Sequence, residues 1–534
     1  MSSTVFQVLT SPDPLPADLP TTPREALERA CRLWGEDHVV YDFPEAGETM
    51  DLAGLRAAAE AWAGVLHGLG VGPGDRVAIC LPGHPLWPVL QNACSIVGAS
   101  YVGVNVKYRG WEIRRLLDAV RPTVLVAGRD ATSETCVDTL VELASEASVR
   151  TVWVGPGAPD GTTPADSLVS AAAPVPCAEA VARAGDVALI QFTSGSTGAP
   201  KAVAHTHAQV QLTARNISAM AGYDESDVVF SALPFYHVGG SMCTGPIAVV
   251  SGARVVIPRR FSATGSVRTM IDRQCTATQG HAAMFTMQIE IVARDGLRDR
   301  LALRKGWTAS PPAVIRQIHD VLGIESIIPA YGMSECGMTI GGRVDDPLEK
   351  RINTVGRPTP GALVRIADVG LDGVGELQLG GPPVIAEYLD DPDATAASFT
   401  EDGFLRTGDL VRVDEDGYLV FADRLKDMIK PGGENVSTTE VEAFLMSLPH
   451  VVGASVVGAP DPVLGEVPVA FVQVDASVDP DRIIDACRAG IASFKVPRWV
   501  ELVADFPVMA TGKVDKPALR ARARERSPVK ERRA

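Results

Sequence analysis

Short β-branched runs alternating with helix-patterned stretches constrain this chain more than any other feature. DRVAICL (75–81), the helical LWPVLQNACSIVGA, SYVGVNV, RPTVLVAG and TVWVG follow one another, and DVALIQF (186–192), DVVFSALPFYH (227–237), ARVVIP (253–258) and ESIIPAYGMSE (325–335) extend the series. Strands separated by helix-length segments cannot pair as tight hairpins, so the pattern predicts α/β architecture with largely parallel strands. The Gly/Pro/Ala-rich segment 155–180 has no periodicity and reads as an exposed connection. Further on, GELQLGG, EDGYLVFADR and PVAFVQV read as short strands joined by turns, first a β-rich subdomain and then a small α+β domain. At 534 residues the chain exceeds what one core organises. The expected division is 1–424 and 425–534, with the boundary near Arg424 to Lys426. Ser437 and Glu440 have capping-box spacing at the start of the first helix of the small domain.

Composition excludes several classes. A hydrophobic fraction of 46% with 21% charged residues is that of a folded, soluble chain. The formal net charge of −16 disfavours a nucleic-acid partner, because phosphate backbones repel such a surface. The basic end RARARERSPVKERRA reads as a solvated helix and tail. Nine cysteines are scattered singly with no CxxC pair, which points to reduced, buried thiols rather than a disulfide or zinc framework. No apolar run reaches membrane-spanning length and no leader pattern opens the chain, so a cytoplasmic location without membrane attachment is expected.

DVALIQF runs directly into TSGSTGAPKA (193–202), a Gly/Ser/Thr loop at the carboxyl end of a strand, where open α/β sheets bind ligands. It is not the phosphate loop of NTPases: Gly195 and Gly198 stand too close, and Ala202 follows Lys201 where a magnesium-binding hydroxyl is needed. Two readings stand on the residues alone, a different anion-binding loop of backbone N–H groups and hydroxyls, or a surface turn.

TSGSTGAPK, LPFYHVGG (233–240), AYGMSE (330–335), FLRTGD (404–409), DRLKDMIK (423–430) and PVMATGKVDK (507–516), in that order, decide between them. Together they resemble the adenylate-forming superfamily, which comprises acyl-CoA and aryl-CoA synthetases, adenylation domains of nonribosomal peptide synthetases, and luciferases. The resemblance covers essentially the whole chain. It implies that a carboxylate attacks the α-phosphorus of ATP, releasing pyrophosphate, and that a thiol then displaces AMP. It implies Lys513 as the catalytic lysine bridging carboxylate and α-phosphate, and Glu335 as the glutamate associated with Mg2+. Thr193, Ser194, Gly195, Ser196, Thr197 and Gly198 would clamp the β- and γ-phosphates with Lys201 as an auxiliary cation. Tyr331 would stack on adenine beside Gly332, Met333 and Ser334, and Asp409 and Arg424 would hold the ribose. The adenine-side segment Ala309, Ser310 and Pro311 departs from the family: WTASPP carries Thr308, Ala309 and Ser310 where smaller residues are usual, so a narrower groove is expected. Ala202 replaces a usual glycine, costing ~1 kcal/mol if its φ must be positive.

For the acyl group the resemblance implies that His237 lines the pocket and can gate the reacting carboxylate; Gly239, Gly240 and Gly341 beside Gly342 suggest room in that pocket, and His281, among small and apolar residues, reads either as a contact for a polar substituent of the acid or as structural packing. His205 and His207 share a strand face but have no third ligand candidate nearby, so a metal site is rejected. Lys426 is expected to be the hinge on which the small domain turns, bringing Gly432 and Gly433 to a thiol channel. The expected partners are a small-molecule carboxylic acid, ATP, Mg2+ and coenzyme A, with the protein a monomer or homodimer. A separate acyl-carrier protein, a non-thiol nucleophile, or a catalytically silent nucleotide-binding relative are the alternatives.

Overall fold

The structure is a computed structural model that describes residues 8–15, 18–128, 137–193, 201–369, 373–424, 428–434, 436–507 and 514–527. Two large sheets carry the expected α/β plan. In the first, Arg76–Cys80 pairs in parallel with both Ser100–Gly103 and Val124–Gly128, and Ser100–Gly103 pairs in parallel with Val187–Thr193. Lys201–Thr206 closes that edge antiparallel to Val187–Thr193. In the second, parallel pairing runs without interruption from Val39–Phe43 through Arg254–Val256, Val228–Ser231, Ala277–His281 and Lys305–Ala309 to Ser326–Met333.

Both sheets bury apolar faces against shared helices, which is why their strands read as unbroken Val/Ile/Leu runs. One core joins Val77, Ile79 and Leu189 of the first sheet to Val229, Val255 and Ile328 of the second, with Leu66, Leu90 and Ile217 from helices between them. Local signals start these helices where the sequence places them. Asp51 caps Leu52–Gly68 through the Gly54 N–H, and Thr206 with Gln209 forms a capping box on His207–Ala221.

The β-rich part is a five-stranded antiparallel sheet whose last two strands, Leu405–Val413 and Leu419–Arg424, pair Asp409 opposite Arg424. Met428–Ile429 then opens a separate two-stranded sheet with Val436–Ser437, so strand membership changes across residues 425–427. Lys426 lies outside the described residues. Beyond it, Val451–Asp461, Gly465–Val474 and Val500–Leu502 form a three-stranded sheet with its own apolar clusters.

Two local expectations are corrected. Segment 155–180 is mostly exposed but contains the helix Ala165–Ala171, whose Ala165 anchors into the core. Ser437 caps Thr438–Met446 through the Glu440 N–H at 3.4 Å, but the Glu440 side chain bonds Lys495 instead of completing a capping box. A buried ammonium competes better for a carboxylate than a backbone N–H does.

Candidate active site

The carboxyl ends of the second sheet's strands open into a cavity of about 690 Å3. Ala277–His281 delivers His281, Lys305–Ala309 delivers Trp307 and Ala309, and Ser326–Met333 delivers Tyr331, Gly332 and Met333, with Ser334 following. His237 enters from the N-cap of the short helix Val238–Ser241, and Gly239 lies on its first turn. Leu233, Met284 and Met287 add apolar wall. Strand alternation explains which residues face in: Trp307 and Ala309 line the cavity, whereas Thr308 is fully buried and its hydroxyl is tied to Ser310 at 2.5 Å. Thr308 and Ser310 are not among the walls of this cavity, and Pro311 occupies the N-cap position of the helix Pro312–Gln317.

Two glycines expected in the acyl pocket are elsewhere. A Cβ on Gly240 would run into the Pro234 carbonyl, and one on Gly341 would press on the Met220 side chain, so both serve close packing within the protein away from the cavity. Gly239 has room, its Cβ position 3.5 Å from Leu233.

Behind Ser334 lies a buried polar layer. Tyr388 donates its hydroxyl to Glu335 Oε1 at 2.8 Å, and the Lys201 ammonium stands 4.5 Å from the centre of the Tyr388 ring while donating to Ser398. Burial raises the Glu335 carboxyl above its usual range despite the Tyr388 hydrogen bond. A buried carboxylate so weakly compensated fits a cation, and one carboxylate with nucleotide phosphates is an ordinary magnesium environment. Among the described residues no group of three His, Cys, Asp or Glu could hold a metal by itself.

Tyr331 donates to Asp409 Oδ2 at 2.6 Å, which joins the strand Ser326–Met333 to the strand Leu405–Val413. His205 donates Nε2 to the Ser334 carbonyl at 2.6 Å, and burial holds its ring neutral, with its pKa lowered to about 4. That histidine thus fixes the backbone beside Glu335. Thr193 and Lys201 are direct cross-strand partners at the mouth of the glycine-rich loop. Ala202 lies in a regular strand, absent from the positive-φ residues, with its methyl in an apolar cluster. It carries no strain that a glycine would relieve. Ser194, Gly195, Ser196, Thr197, Gly198 and Lys513 lie outside the described residues, and Arg424 is described only in its backbone pairing.

On the other side, the small domain closes the cavity with Gly432, Gly433 and Glu434. Gly433 has φ +87°, and a Cβ there would overlap the His281 ring. Glu434 accepts from His237 Nε2 at 3.0 Å and from Lys107 Nζ at 2.9 Å. Burial opposes the Glu434 carboxylate, but His237 and Lys107 outweigh it and hold the carboxyl well below its usual range. Tyr388, Lys107 and Glu434 escaped the sequence reading. Lys107 and Glu434 are 327 positions apart and no local pattern links them.

Two parallel-rich sheets, an antiparallel sheet and a small C-terminal domain, with a cavity walled by residues 330–334 of the large domain and 432–434 of the small one, are the architecture of the adenylate-forming class of enzymes. Residues 27–389 match the family model described as AMP-binding enzyme, and residues 440–513 match that of the AMP-binding enzyme C-terminal domain. The chain belongs to this family of AMP-binding enzymes. It is 32% identical over 516 residues, covering 94% of this chain and 98% of the relative, to the "3-[(3aS,4S,7aS)-7a-methyl-1,5-dioxo-octahydro-1H-inden-4-yl]propanoyl:CoA ligase" of Rhodococcus jostii (strain RHA1). The o-succinylbenzoate CoA synthetase MenE of Bacillus subtilis superposes with TM-score 0.80 at 26% identity, covering 94% of this chain and 98% of the other. The amide bond synthetase McbA of Marinactinospora thermotolerans superposes with TM-score 0.79 at 27% identity, covering 93% and 99%. Among the described residues no helix is long and apolar enough to cross a membrane.

Tyr388→Phe should slow acyl-adenylate formation about tenfold and raise the magnesium concentration needed for half-maximal rate, because a hydrogen bond to a charged group is lost. Substrate-dependent pyrophosphate exchange measured across a magnesium series checks this, and an unchanged series would remove Tyr388 from the site.

Proposed function

We propose that the protein is an AMP-forming acyl-CoA ligase for an apolar, ring-bearing carboxylic acid larger than acetate. The observation that carries the reading is the single cavity shared by the YGMS strand end and the Gly432–Glu434 loop, one place where an acyl adenylate can be reached by a thiol. Its apolar walls of Leu233, Met284, Met287 and Trp307 suit a hydrophobic ring system, and the indene-propanoyl and succinylbenzoate substrates named for its relatives support that class. Lys107, Arg109, Arg259 and Arg260 also line the cavity, a cationic surround that suits the phosphates of coenzyme A.

In the first step the acid's carboxylate attacks the α-phosphorus of ATP and pyrophosphate leaves, converting a carboxylate with no usable leaving group into a mixed anhydride. Lys513 neutralises charge between the two reactants, Lys201 and the Thr193–Gly198 loop hold the outer phosphates, and Asp409 with Arg424 anchors the ribose. Glu335 is the residue that would hold magnesium, which supplies charge neutralisation on the phosphates of ATP. In the second step the pantetheine sulfur attacks the acyl carbonyl and AMP leaves with the bonding pair. The orientation described here suits that second step: Gly433 lies flat on His281, and Glu434 draws His237 toward the channel wall. Val514, beside Lys513 in sequence, packs in the small domain's own core. Rotation about Lys426 would exchange the Gly432–Glu434 loop for Lys513.

A panel of aryl, aryl-alkyl, alicyclic and fatty acids with ATP, magnesium and coenzyme A should give pyrophosphate release and thiol consumption in equal amounts, greatest for the ring-bearing acids. Pyrophosphate release without thiol consumption, with amide formed when an amine is added, would move the protein to the amide-forming branch. Lys513→Ala should abolish pyrophosphate release while leaving most of the thioester rate when acyl-AMP is supplied. Equal loss of both steps would contradict this division of labour.

A further inference from the structure

The small domain meets the large one through three charges that are almost completely removed from water. Lys495 donates to Glu112 Oε1 at 2.7 Å and to Glu440 Oε1 at 2.8 Å, and the side-chain exposures are 4%, 2% and 1%. Glu112 belongs to the helix Gly110–Val120 of the large domain, whereas Lys495 and Glu440 belong to the small domain. The ammonium also stands 5.1 Å from the centre of the Tyr108 ring, and Trp111 meets Phe444 edge-on at 5.9 Å. The segment that supplies Tyr108, Trp111 and Glu112 also supplies Lys107 to Glu434 at the cavity. One short stretch of the large domain therefore anchors both the thiol-channel loop and the buried charge cluster.

We infer that Glu112 and Lys495 are positioning residues for the acyl-transfer step, a directional latch that sets the Gly432–Glu434 loop against the acyl cavity. Apolar contacts tolerate sliding, but a buried ammonium shared by two carboxylates does not, because a displaced charge loses its partner in a medium that cannot solvate it. The latch is also built to release. If the small domain turns away, Lys495 keeps Glu440, and Glu112 keeps the Arg109 N–H that already holds its Oε2 at 3.0 Å while its other oxygen gains water. Neither half is left as an unpaired buried charge. The latch lies outside the cavity walls, so it acts through the loop and touches no substrate.

This inference rests on the two-step reading above, and its test separates the two. With the best acid of the panel, Glu112→Gln and Lys495→Met should form acyl-AMP within about twofold of the wild-type rate. Thioester formation from preformed acyl-AMP and coenzyme A should fall by at least ~10-fold for Lys495→Met and less for Glu112→Gln, which keeps a hydrogen-bonding amide. Equal slowing of both steps, or an unchanged thioester step, overturns the latch. Because Lys495→Met leaves two buried carboxylates and can compromise folding, Glu112→Lys supplies a measurement independent of any acid. It sets a second ammonium against Lys495, and small-angle X-ray scattering of the full chain should give a larger radius of gyration than wild type at an unchanged circular dichroism spectrum. A radius equal to wild type overturns the latch even if the ligase reading stands, and absence of pyrophosphate release with every acid sinks the ligase reading while leaving the scattering result to decide the latch.

Discussion

The contact of Gly433 with the face of His281 is the constraint on which the geometry of the site depends. One acyl group has to be presented first to a phosphorus and then to a sulfur, and in the proposed arrangement the wall that admits the sulfur has to reach the wall that holds the acyl group without any side chain between them. Only glycine satisfies both demands, since its φ of +87° is closed to other residues and its missing Cβ is the space the imidazole occupies. Glu434, next in the chain, converts that steric fit into a charged one by taking His237 and Lys107 as partners. The second sheet serves this arrangement by bringing the ends of successive strands to one rim, where His281 pairs with Ala309 and Tyr331 follows on the next strand.

A second layer supports the first through charges removed from water. Glu335 and Asp409 are each bonded by a tyrosine hydroxyl, Tyr388 and Tyr331, and His205 pins the Ser334 carbonyl beside Glu335. A phenol hydroxyl is weak compensation for a carboxylate as buried as Glu335, which leaves that group poised toward a cation. By contrast, Glu112 and Glu440 share the Lys495 ammonium directly, in keeping with a role in holding domains rather than ligands.

Much of the fold was legible because it depends on periodicity, which is local. The β-branched runs mark the parallel strands, and Ser326–Met333 ends within the motif AYGMSE that forms the site. Strand alternation was legible too, yet its direction was not: nothing in WTASPP says that Thr308 turns into the core and Ala309 into the cavity, which depends on the neighbouring strands. Gly240 and Gly341 mislead for a related reason, since a glycine marks close approach without saying whether backbone or ligand approaches. Tyr388, Lys107 and the pair of Glu112 with Lys495 were invisible because their partners lie 53, 327 and 383 positions away, and only the assembled fold brings them together.

The central claim is that the docked loop Gly432–Glu434 belongs to acyl transfer alone. Single-turnover quench of Gly433→Ala with ATP, acid and coenzyme A tests it most directly, because the added methyl meets the His281 ring in this orientation. The account predicts that pyrophosphate appears at the wild-type rate, that acyl-AMP accumulates, and that thioester formation is nearly lost. Thioester appearing at the wild-type rate, or loss of pyrophosphate release in equal measure, would contradict it.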